Sequence, residues 1–87
     1  MPIDLTPHLE RAERRLQSWP VVFGITAAWE ETTVLDADAL QLTATRGDQQ
    51  LTQQLLVNDL AYAPDITWEM QRVELNAQEQ LLNPPPV

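Results

Sequence analysis

Between Pro20 and Trp29 successive residues sort into two sets, and the rest of the chain arranges itself around that run. Val21, Phe23, Ile25, Ala27 and Trp29 fall on one side; Val22, Gly24, Thr26 and Ala28 fall on the other and lead into Glu30. Side chains of a strand point to opposite faces with a period of two, so the run predicts a strand with one continuous apolar face. β-Branched and aromatic types dominate it, and Pro20 stands at its first position, where a missing N–H costs least.

Upstream, Leu9, Ala12, Leu16 and Trp19 recur at spacings of three and four and predict an amphipathic helix. Thr6 reads as its N-cap, Pro7 as its first helical residue and Pro20 as its stop. Leu5 folds back toward Leu9. Glu10, Arg11, Arg14 and Arg15 occupy the opposite face, and His8 sits on the exposed first turn.

Downstream, Leu40, Leu42 and Ala44 alternate with Gln41, Thr43 and Thr45 and predict a second half-buried strand, antiparallel to the first. Residues 30–39 hold the turn, with room for a short strand at Thr32–Leu35. Residues 48–62 fit two templates: Leu51, Leu55, Asn58 and Tyr62 share a helical face, while Leu51, Leu55 and Val57 share a strand face. Helix is the preferred expectation, because β-branching is sparse, Asp48 can cap and Pro64 can stop. The last element, capped by Asp65, runs from Ile66 to Leu82 and carries two opposed stripes at about 100° per residue. Ile66, Met70, Val73, Ala77 and Leu81 form one; Trp68, Leu75 and Leu82 form the other.

These elements predict an α+β fold with an N-terminal helix, a small antiparallel β-sheet and a helical C-terminal half. The expected organisation is a single small domain over 1–83 and a flexible proline tail over 84–87. An all-α bundle is the alternative, since Leu40, Ala44, Gly47, Leu51, Leu55, Asn58 and Tyr62 also follow helical spacing.

Composition narrows the function. Cysteine is absent, which excludes disulfides, thiolate ligation and a cysteine nucleophile; lysine is absent too, which excludes Schiff-base chemistry. Thirteen acids against five arginines give a net charge of −8. Residues 1–20 balance three acids with three arginines, so the whole excess lies in residues 21–87. Such a body repels phosphates, so direct nucleic-acid binding is not expected, and the longest apolar stretch falls far short of the roughly 20 residues that membrane insertion needs. No signal-peptide pattern opens the chain, and a cytoplasmic location is the expectation.

No catalytic, cofactor or metal site emerges. His8 is the sole histidine and lacks ligand partners. Glu30, Glu31, Asp36 and Asp38 form an acidic cluster on an expected loop, without the spacing or glycine of a calcium loop. Arg46-Gly47-Asp48 reads as a turn. Partner binding is the remaining role, and it falls to Trp68, Leu75 and Leu82, to Arg11, Arg14 and Arg15, and to the four acids. A second apolar face is more than a helix needs to dock on its own domain. The expectation is a non-catalytic protein–protein interaction module: an accessory subunit, assembly factor or adaptor in a homo-oligomer or larger complex. The alternative is an acidic decoy that binds a nucleic-acid-handling protein through its negative surface.

Overall fold

The computed structural model describes residues 4–57 and 63–83. Helix α1 (Thr6–Leu16) and a single helical turn, α2 (Trp19–Val22), precede three strands. These are β1 (Thr26–Val34), β2 (Ala37–Arg46) and β3 (Gln49–Leu56), and a long helix, α3 (Ala63–Leu82), follows. The strands form one antiparallel sheet in the order β1-β2-β3. The fold class is α+β, with both long helices on one face of the sheet, and the all-helical alternative is excluded.

Register decides which residues face the helices. Trp29 pairs with Leu42 and Ala27 with Ala44; across the other ladder Leu40 meets Leu55, Leu42 meets Gln53 and Ala44 meets Leu51. These rows lie under α1 and α3, and Leu40, Leu42 and Ala44 of the central strand are fully buried. One apolar cluster joins Leu16, Trp19, Ile25, Leu42, Ala44, Val73, Ala77 and Leu81. A second joins Leu5, Ala12, Leu40, Leu55, Val57, Ile66 and Met70. Trp29 packs against both. The expected core stripe of α3, Ile66 through Leu81, is buried in full.

Several expectations need correction. The strand expected from Val21 begins only at Thr26, because Pro20 sits in the first turn of α2, where a missing N–H is harmless. Gly24, at φ 70°, then ends that turn in the left-handed conformation typical of a helix C-terminus. Val21 and Val22 are consequently exposed. Residues 49–56 form a strand, not a helix: Gly47-Asp48 is a two-residue hairpin loop, with the positive φ at its first position that a type II′ turn requires. The acids expected on a loop are mostly on strands: Glu30 and Glu31 in β1, Asp38 in β2, and only Asp36 in the Leu35-Asp36 turn. Finally, α1 starts at Thr6 itself, Leu5 takes the N-cap position without a side-chain cap, and the Thr6 amide donates instead to Asp4 Oδ1 at 3.0 Å. Tyr62, Asn58 and the 84–87 tail lie outside the described residues.

Candidate interaction surfaces

On α3 the turn-by-turn alternation of faces leaves Trp68 and Leu75 pointing away from the sheet. They are 63% and 64% exposed. Seven residues apart, they stand two turns from one another on a single stripe, about 10 Å along the axis. Leu82, the third expected member, is half-buried and packs against the cluster around Leu16 and Val73, so the stripe is two residues long. Gln71, Arg72 and Glu79 flank it and are exposed.

The three arginines of α1 do not act together. Arg11 and Arg14 are exposed, whereas Arg15 turns inward. Its Nε donates to Glu74 Oε1 at 3.0 Å and its Nη2 to Oε2 at 2.7 Å. Trp29 Nε1 donates to the same Oε2 at 2.8 Å. Glu74 is only 3% exposed, so this carboxylate is buried with its oxygens satisfied by a fork and an indole. The network ties α1, β1 and α3 together where the two apolar clusters meet. Sequence reading missed it, because Glu74 sits 59 and 45 residues from its partners and no local spacing connects them.

His8 is buried, contrary to the exposed position expected of it. Its Nδ1 shares a hydrogen bond with Thr67 Oγ1 at 3.1 Å, which joins the start of α1 to the start of α3. Burial, with a smaller contribution from the Arg11 charge, pushes the imidazole pKa below its ordinary value.

The acids Glu30, Glu31, Asp36 and Asp38 do not form one patch. Glu30 projects on the sheet face away from the helices, where it accepts from Gln41 Nε2 at 3.2 Å, and Gln41 Oε1 accepts from Gln54 Nε2 at 3.2 Å. Glu31 and Asp38 belong to the opposite face by strand alternation, and Asp36 lies at the hairpin tip. Arg46 Nη1 donates to the Leu81 carbonyl at 3.0 Å, so it satisfies the C-terminal end of α3. A groove of about 760 Å³ runs between α1 and β1, lined by Leu9, Glu10, Glu13, Arg14, Ala27 and Trp29 among others. Among the described residues no three His, Asp or Glu side chains gather to hold a metal, and no helix is long and apolar enough to cross a membrane.

No family model matches the chain, and no curated protein or solved structure matches it either.

Proposed function

We infer that the protein is a non-catalytic interaction module that docks another protein chain on the outward face of α3. One observation carries this reading: Trp68 and Leu75, large apolar side chains on one stripe, are each nearly two-thirds exposed. Two large apolar side chains on one stripe make a patch rather than a single scattered residue, and tryptophan is enriched among the residues that dominate interface energetics. The flanking Glu69, Glu79 and Arg72 form a polar rim. A complementary partner offers an apolar pocket with cationic groups near its edge, matching the net −8 of this chain. The acidic residues, divided between two sheet faces and a hairpin tip, offer no comparable continuous patch, so the decoy reading ranks second.

Trp68→Ala tests the proposal. Trp68 is absent from both buried clusters, so the substitution is expected to change unfolding free energy by less than about 0.5 kcal/mol. Association with the partner is expected to weaken by about 2 kcal/mol or more, read as a rise in Kd by calorimetry on a partner isolated with the wild-type chain. Unchanged affinity, or a large fall in Tm, contradicts the reading.

A further inference from the structure

Among the described residues the sheet is open along both outer strands, and the two edges are built differently. β1 carries Glu30 and Glu31 at its middle, and acids in such positions block association between strand edges. β3 has no charged residue, no proline and no glycine from Gln49 to Leu56. It pairs with β2 without a bulge, from Arg46–Gln49 to Ala39–Leu56, and among the described residues nothing pairs with its outer side. Gln50, Thr52, Gln54 and Leu56 are exposed on the uncovered sheet face; Leu51 and Gln53 are half-buried on the helix side. A straight, uncharged edge of eight residues is at odds with a chain of net charge −8.

Beside this uncharged edge runs α3. Glu74 and Thr67 reach toward α1 through Arg15 and His8. At about 100° per residue, the flank of α3 turned away from α1 therefore holds Asp65, Glu69, Arg72, Asn76 and Gln80. Because α1 packs over β1 and α3 over β3 and β2, this flank borders the free edge of β3. Glu69 and Arg72 pair with one another, and Asp65 in the first turn leaves the flank with a single net negative charge.

We propose that β3 is a homodimer edge, where a second copy of the chain adds its own β3 in antiparallel register about a twofold axis normal to the sheet. The result is a continuous six-stranded sheet with all the helices on one side. The stretch Leu51-Thr-Gln-Gln-Leu55 is nearly palindromic. With Gln53 on the axis, Leu51 faces the partner's Leu55 on the helix side and Thr52 faces the partner's Gln54 on the open side. The strand's near-palindromic pattern and its lack of charge specify a second copy as the occupant. Main-chain hydrogen bonds along the edge supply the association, and cross-strand pairs set the register.

Sedimentation velocity of the full chain from micromolar to submillimolar concentration tests the proposal. The wild type is expected to show a concentration-dependent dimer. Thr52→Glu with Gln54→Glu, both at exposed positions, sets like charges opposite one another and is expected to raise the dimer Kd about tenfold or more. Circular dichroism checks that the fold is retained. At about 0.1 M salt or above, where repulsion between the bodies is screened, the same charges on the other edge, Thr26→Glu with Thr33→Glu, are expected to leave the dimer unchanged. Because the chain has no cysteine, Gln53→Cys supplies a single thiol that is expected to yield a covalent dimer on mild oxidation. A monomer at every concentration overturns the proposal, as does a dimer indifferent to Thr52→Glu with Gln54→Glu or one that dissociates with Trp68→Ala instead.

Discussion

At the level of single residues, Glu74 of α3 joins three elements by accepting from Arg15 of α1 and Trp29 of β1. A carboxylate this deeply buried is tolerable only with its partners in place, and Arg15 is the one that supplies the compensating charge. Arg15→Met therefore leaves an uncompensated anion beside Trp29. For a fully buried pair such a loss costs about 3 to 5 kcal/mol. Arg15 keeps 27% of its side chain exposed, so water replaces part of the lost interaction, and a fall of about 2 kcal/mol in unfolding free energy is expected in urea titration. Arg15→Met with Glu74→Met removes both charges together and is expected to recover most of that loss. A double variant as unstable as the single one would assign the effect to packing of the arginine stem instead.

Among the elements, the two hairpins differ in how well their turn residues suit them. Gly47 meets the positive φ of its turn at no steric cost, whereas Leu35 and Asp36 adopt φ 51° and 65° with side chains that disfavour that region. Leu35 is 97% exposed, so no packing compensates for it. Leu35→Asn with Asp36→Gly installs the residues that a type I′ turn prefers and is expected to raise unfolding free energy by about 1 kcal/mol, measured by thermal or urea denaturation. Here also lies the reason the sequence was only partly legible. The stripes of α1 and α3 and the alternation of β2 repeat over many residues, so their periods identified them. β3 offered only Leu51, Leu55 and Val57, spacings that serve a helix as well as a strand, and its glutamines favour a helix intrinsically. Pairing with the central strand outweighed that preference, as tertiary context often does. Its one local signal was Gly47-Asp48 between two apolar-containing runs, which marks a hairpin more specifically than a cap. Pro20 misled in the opposite direction, because a proline that opens a strand and one that opens a helical turn look alike in sequence. Of the candidate surfaces, exposure at Trp68 and Leu75 followed from the helix period, but the inward turn of Arg15 depended on a partner far away in sequence.

For the molecule as a whole, charge and shape act together. The body measures 43 × 26 × 17 Å, so a charge on one face is never far from the opposite face. Two copies joined along β3 bring −16 together, twice the −8 of each chain, through a strand that is itself uncharged. Repulsion between the bodies is then the main electrostatic contribution to dimerisation, and its range is set by the ionic strength. The Debye length shortens from about 30 Å at 0.01 M salt to about 10 Å at 0.1 M, that is, from longer than the shorter dimensions of the body to shorter than all of them. Over that interval the dimer is expected to tighten, with a Kd from sedimentation equilibrium that falls as salt rises. Contacts between Arg11 or Arg14 of one copy and the acids of another would give the opposite sign, because screening weakens attraction between unlike charges. The slope of log Kd against log salt therefore separates an interface along the neutral edge from one made through the charged flanks, and a rising Kd would assign self-association to α1.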